Sequence, residues 1–272
     1  MHPAVTKIKE DMVGESRLDK TFSERFGSME YLVACDFDNT LTGDHWALHE
    51  LKKKLATHKQ RVGFAVATGR STPSAKEALS STSLDVDVLI SSVGTEIYYS
   101  NTLLADTRWA AHIAKDWSSA KVLNRLKKFE ELEPQEYWNV RSPLKVSYMV
   151  WDVTNIDSLL ARITKALTDE GIAFNLIFSH EHYLDVIPQR SSKGAALAYI
   201  AKRWNLDPSS IVTAGDSGND ADMLVHPFKS IVVANHEHVL KTIPQHPSLY
   251  YAQNHFAAGV LEGLKEFKVF AS

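Results

Sequence analysis

Apolar residues along this chain gather in short unbroken runs. Tyr31-Leu32-Val33-Ala34-Cys35, Gly63-Phe64-Ala65-Val66-Ala67 and Ile211-Val212-Thr213-Ala214 show no polar face. A strand reads this way when both of its faces are buried, as in a parallel sheet covered by helices. Further strands are predicted over residues 86–90, 96–99 and 230–233. Helical patterns fall between them, over 46–55, from Thr72-Pro73 onward, from Ser191 or Ser192 to Trp204, and over 257–267. Thr72 reads as an N-cap with Pro73 in the first turn. Strand and helix in alternation predict an α/β fold with a doubly wound, mostly parallel sheet.

The middle of the chain has a different pattern. A long helix is predicted over 110–129, a strand over 145–150, a helix over 156–170 and strands over 173–178 and 184–187. Gly171 suits the end of the second of these helices. Trp117, Trp138 and Trp151 lie in or near this block. It reads as a small α+β domain inserted over 109–186 into a core of 30–108 and 187–272, with residues 1–29 as a peripheral N-terminal extension.

Composition narrows the function. The 272 residues are 44% hydrophobic and 23% charged, as in a globular protein with a sizeable core. The net charge of −3 gives no surplus for nucleic acid or an anionic membrane. Cys35 is the single cysteine, so no intrachain disulfide can form, which fits a reducing cytoplasm. No apolar run reaches the length of a membrane span, and the N-terminal stretch lacks a signal-peptide pattern. These features leave a soluble enzyme or binding protein.

Four segments carry chemistry, each after a predicted strand or at a helix start, where open α/β sheets bind ligands. In Asp36-Phe37-Asp38-Asn39-Thr40-Leu41-Thr42, one carboxylate can attack phosphorus. A second, two residues on, can protonate a leaving oxygen and then activate water. In Ala67-Thr68-Gly69-Arg70-Ser71, a hydroxyl and a glycine can hold a phosphate closely. Lys193, in Ser191-Ser192-Lys193-Gly194, sits at a helix start, where a lysine is unfavourable unless an anion is near. Gly215-Asp216-Ser217-Gly218-Asn219-Asp220 offers hard oxygen ligands suited to magnesium. Taken singly, the second and third segments read more simply as an ordinary turn and a solvated lysine. Together the four supply a nucleophile, an acid/base, a cation and a metal site.

In this order, DFDNTLT, ATGRS, the lysine of SSKG and GDSGND resemble the motifs of the haloacid dehalogenase superfamily of phosphatases. The resemblance implies a Rossmann-like core with a C2-type cap as the insert. It implies Asp36 as nucleophile, Asp38 as general acid/base, and Thr68 and Lys193 as phosphoryl ligands. It implies magnesium held by Asp36, the Asp38 carbonyl and Asp216, with Asp220 ligating or orienting a bound water. Ser92-Val93-Gly94-Thr95-Glu96-Ile97-Tyr98, Pro143 to Tyr148, Phe178 to Gly194 and Ala258 to Leu264 further resemble the sucrose-6-phosphate phosphatase family. The expected substrate contacts are Thr68, Gly69, Arg70, Thr95, Glu96 and Lys145.

The activity this implies is hydrolysis of sucrose 6-phosphate to sucrose and phosphate. A phosphatase for another sugar phosphate, such as mannosylfructose phosphate, stays open, because the cap rather than the motifs selects the leaving group. A sugar phosphomutase and a silent sugar-phosphate-binding partner of a synthase also remain, as does association with such a synthase. Neither His180 with His182 nor His236 with His238 has a third ligand at a metal-site spacing, so both pairs are read as ordinary residues, with His180 and His182, at the cap edge, kept as candidate sugar contacts.

Overall fold

β1 (Tyr31–Cys35) runs through the middle of an eight-stranded sheet, parallel to both of its neighbours, β2 (Val62–Ala67) and β10 (Ile211–Gly215). The structure is a computed structural model and describes residues 22–99, 104–135 and 142–271. From β10 the sheet continues through β11 (Lys229–Val232) to β12 (Leu249–Tyr251), and from β2 through β3 (Val88–Ser91) and β4 (Glu96–Tyr99) to β5 (Leu104–Ala105). β4 runs antiparallel to both of its neighbours, β3 and β5, and the other pairs are parallel. The unbroken apolar runs have their cause here. Leu32 and Ala34 enter one core layer, while Val33 and Cys35 enter the other.

Helices cover both faces. α1 (His45–Thr57) places Leu48, Leu51 and Leu55 in one layer, and Asp44 caps it by accepting the Ala47 N–H at 2.9 Å. α2 (Thr72–Thr82) lies in the same layer through Ala75 and Leu79. Its N-cap position is Ser71 rather than Thr72, whose hydroxyl bonds instead to Glu96 (2.8 Å) and pairs with Ser91 (2.6 Å). On the other face α6 (Lys193–Arg203) packs Ala196, Leu197 and Ile200, and Ser192 caps it.

The expected insert is present as a separate antiparallel sheet, ordered β6 (Glu133–Pro134), β7 (Val146–Met149), β9 (Tyr183–Pro188), β8 (Phe174–Ser179). α4 (Ser119–Leu126) and α5 (Ile156–Asp169) contribute Val122, Leu126, Leu159, Ile163 and Leu167 to a third apolar cluster with Val146, Tyr148, Leu184 and Val186. Strand alternation then turns Ser147 and Asp185 to the sheet's other face. This sheet is called the cap below.

Two further expectations are corrected. The long helix over 110–129 is two helices, α3 (Thr107–Ile113) and α4, broken where Asp116 takes φ +69° and Ser118 starts the second by capping it. Trp109 and Ile113 of α3 pack into the core layer, not the cap. The segment before Met29 is not wholly peripheral. Residues 22–27 are helical, and Phe22 and Phe26 are buried against Tyr99 and Trp204, with Phe26 stacked on Trp204 at 5.3 Å. Residues 1–21 and Trp138 lie outside the described residues. Among the described residues, no helix is long and apolar enough to cross a membrane.

Candidate active site

The sheet order brings three sequence-distant loops together, because β2, β1 and β10 are neighbours and end at the same edge. Thr68 follows β2, Asp36 follows β1 and Asp216 follows β10. Asp36 is tied to that edge by its N–H, which donates to the Ala214 carbonyl at 2.9 Å.

Lys193 is the centre of the site. Its ammonium is wholly buried and donates to Asp36 Oδ1 (2.7 Å), Asp220 Oδ1 (2.6 Å) and Asn219 Oδ1 (2.5 Å). Burial works against its charge, but the carboxylates of Asp220 and Asp36 outweigh that and hold its pKa above the ordinary range. The helix-start lysine that looked unfavourable in the sequence is thus satisfied by two anions and an amide oxygen.

Asp36, Asp216 and Asp220 offer carboxylate oxygens all within 4.8 Å of one another. With all three ionised, these carboxylates exceed the Lys193 ammonium by two negative charges. Burial first, and then the neighbouring carboxylates, push the Asp36 pKa well up, although Lys193 pulls the other way. Burial and Asp220 push Asp216 up to about 7. This excess negative charge among hard oxygen donors fits a divalent cation. Asp220 serves from behind. Its Oδ2 accepts the N–H groups of Asp216 and Ser217 at 3.0 Å each, and its Oδ1 accepts from Lys193. Thr40 steadies Asp216 with a 2.8 Å hydroxyl bond.

Asp38 stands apart from that cluster. Both of its oxygens accept from the Arg70 guanidinium, at 2.7 and 2.8 Å, and Arg70 also donates to Ser74 at 3.0 Å. The side chain of Arg70, expected on the substrate, is therefore committed to Asp38, although it still lines the cavity. Gly69 lines the cavity too. Thr68 is buried, and its Oγ1 accepts the Arg70 N–H at 3.1 Å.

Thr95 and Glu96 do not line the cavity. Thr95 is fully buried and bonds to the Ser92 carbonyl at 3.0 Å, while Glu96 accepts from Thr72, Ser92 and Tyr98. Their segment shapes the site from behind. A Cβ on Gly94 would lie 2.1 Å from the Ser192 carbonyl oxygen, so only glycine lets this loop pack against the start of α6.

The cap closes the opposite wall of a cavity of about 450 Å³ that reaches Asp36 and Asp38. Lys145, immediately before β7, is buried and donates to Asp185 Oδ1 (3.2 Å) and to the Gly69 carbonyl of the core (3.3 Å). Ser147 donates to the same Asp185 oxygen at 2.5 Å. Gln135, Tyr183, Ser179 and His180 complete this wall, whereas His182 is not part of it. His180 meets Glu237 of the core, whose carboxylate raises the imidazole pKa. Asp185, Ser147 and Glu237 were not singled out in the sequence. The signal for Asp185 was a lone carboxylate inside the apolar strand Leu184 to Ile187.

Three comparisons bear on this site. The family model described as sucrose-6F-phosphate phosphohydrolase matches residues 29–268. Sucrose-phosphatase 1 of Nicotiana tabacum is 31% identical over 253 residues, covering 88% of this chain and 59% of the relative. Sucrose-phosphatase 2 of the same plant is 30% identical over 248 residues, covering 86% and 58%. The chain thus spans little more than half the length of these relatives. The solved structure of the sucrose-phosphatase of Synechocystis sp. PCC6803, in complex with sucrose and phosphate, superimposes with a TM-score of 0.83 at 31% identity. That match covers 88% of this chain and 98% of the other.

Proposed function

The chain belongs to the sucrose-6F-phosphate phosphohydrolase family, and from that premise we propose that it is a magnesium-dependent phosphatase hydrolysing sucrose 6-phosphate to sucrose and phosphate. The observation that carries the reading is one cavity shared by two unlike walls. The core wall holds Asp36 and Asp38, while the cap wall holds the buried Lys145 and Asp185, with Ser147 bonded to Asp185. A phosphoryl group suits the first. Fixed donors and acceptors such as those of the second suit sugar hydroxyls, and a cavity of about 450 Å³ has room for a disaccharide phosphate.

A carboxylate oxygen of Asp36 attacks phosphorus, and the bond from phosphorus to the sugar oxygen breaks. Asp38 gives the departing oxygen a proton, then takes one from the water that hydrolyses the aspartyl-phosphate, so Asp36 is regenerated and phosphate leaves. Lys193 holds Asp36 in place and offsets the repulsion between carboxylate and phosphate. Asp36, Asp216 and the Asp38 carbonyl, with Asp220 behind them, would hold magnesium, which when bound would further neutralise that charge. Arg70 holds the Asp38 carboxylate by a two-point bond before substrate enters; that bond opens and Asp38 takes a proton from solvent before donating it to the leaving oxygen.

Product analysis tests the reading. Incubation with sucrose 6-phosphate and magnesium is expected to yield sucrose and inorganic phosphate in equal amounts. An isomerised sugar phosphate would make the enzyme a mutase. Absence of any turnover across a sugar-phosphate panel would leave a binding protein.

A further inference from the structure

Glu237, in the loop after β11, touches both halves of the molecule at the cavity edge. Its Oε2 accepts the N–H of Gly218 at 2.7 Å, within the loop that carries Asp216 and Asp220. Its Oε1 accepts the N–H of His180 at 2.5 Å and faces the His180 Nδ1 at 3.2 Å, in the turn joining β8 to β9 of the cap. Each oxygen of one carboxylate therefore serves a different sheet's loop. The side chain is 24% exposed, so these bonds are largely shielded from water.

The same cap turn lies close against the core loop. A Cβ on Gly218 would come within 2.6 Å of the Phe178 carbonyl oxygen, which leaves no room there for any side chain. Asn219, next along, approaches Ser179 Oγ at 3.5 Å through its amide nitrogen, while its oxygen accepts from Lys193. The cap turn is thus joined through Gly218 and Asn219 to Lys193 and so to Asp36.

The turn itself is costly. His180 and Glu181 take φ +51° and +58°, a left-handed conformation that glycine or asparagine adopts more readily. Non-glycine residues held this way are strained, and they persist where the surroundings over-determine them. Here the conformation brings both the N–H and the ring of His180 to Glu237.

We infer that Glu237 is a positioning residue that locks the cap turn onto the metal and phosphoryl loop, and that this lock makes the enzyme prefer phosphate esters large enough to touch the cap over small ones. The inference rests on the sugar-phosphate reading for its substrate. A small ester needs only the core wall. A sugar phosphate also uses the cap wall, and binding to an unlocked cap spends part of its affinity on ordering that wall.

The experiment compares wild type with Glu237→Ala, using sucrose 6-phosphate and p-nitrophenyl phosphate, and follows amide hydrogen exchange over residues 178–183. The kcat/KM ratio of the sugar phosphate to the small ester is expected to fall about tenfold, chiefly through KM of the sugar phosphate, as for loss of a charged hydrogen bond. Exchange at the His180 amide is expected to rise. His180→Gly suits the left-handed turn, and it is expected to lower the ratio less and to add little in the double variant. An equal fall with both substrates would reduce Glu237 to a support for the core loop and overturn the inference. An unchanged ratio with unchanged exchange would also overturn it. If wild type hydrolyses the small ester but no sugar phosphate, the substrate reading fails, and the exchange measurement still decides whether the lock exists.

Discussion

Lys193 Nζ lies 2.7 Å from Asp36 Oδ1, with side-chain exposures of 0% and 6%. Asp36, the proposed nucleophile, therefore has a cationic partner inside the protein. Lys193→Met keeps most of the volume and removes the charge. It is expected to lower kcat/KM by about 10²–10³, the scale seen when a fixed electrostatic donor is lost. Breaking a buried ion pair from one side also costs roughly 3–5 kcal/mol. Urea unfolding beside steady-state kinetics separates the two effects.

The two-point bond between Arg70 and Asp38 leads to a leaving-group test. A sugar oxygen needs a proton as it departs, whereas p-nitrophenolate does not. Asp38→Asn is expected to slow sucrose 6-phosphate turnover by about 10²–10⁴, and p-nitrophenyl phosphate turnover by clearly less. Arg70→Met is expected to act in the same direction, more weakly. Equal losses with the two esters would argue against Asp38 as the acid.

The crowded carboxylates make metal binding visible in stability. Asp216, pushed up to about 7 from its ordinary 3.8, binds a proton in the folded protein that the unfolded chain has already released. Its contribution to metal-free stability is therefore fully present below the unfolded value and is lost as pH rises through about 7. Asp36 shifts in the same direction. A divalent cation relieves the repulsion that grows over this window. The rise in Tm caused by magnesium is expected to be larger at about pH 8 than at about pH 5.5. Equal shifts at both pH values would contradict a metal held by these groups.

Phe26 is 1% exposed and stacks on Trp204, although it precedes the stretch matched by the family model. Phe26→Ala is expected to cost about 3–5 kcal/mol in urea unfolding, as for other buried aromatic truncations. A chain beginning at Met29 is expected to lose at least as much. A change under about 1 kcal/mol would show that the segment only rests on the surface.

Asp36, Asp216 and Lys193 were legible in the sequence because each is polar chemistry set directly after an apolar strand or at the start of a helix. Sheet order then brought the two aspartates together, because β1 and β10 are parallel neighbours ending at one edge, and the start of α6 brings Lys193 to them. Residues whose role depends on tertiary pairing were not legible. Asp185 looks like any strand carboxylate until Lys145 and Ser147 meet it, and Glu237 looks like any loop acid until His180 and Gly218 do. Thr95 and Glu96 stood out for the company they keep in sequence, but that segment is shaped by the approach of Gly94 to Ser192. The break at Asp116 was hidden by helix-compatible residues on both sides, and only its left-handed backbone and the cap at Ser118 reveal it.

The most direct test of the account is kcat/KM for phosphate release in magnesium with sucrose 6-phosphate, beside mannosylfructose, trehalose and hexose phosphates, with Asp36→Asn as control. Sucrose 6-phosphate is expected to lead every other ester by about tenfold or more, because buried polar groups left unpaired by the wrong sugar carry a penalty. The Asp36→Asn variant is expected to release no phosphate. A different sugar phosphate in first place, or normal turnover without the Asp36 carboxylate, would contradict it.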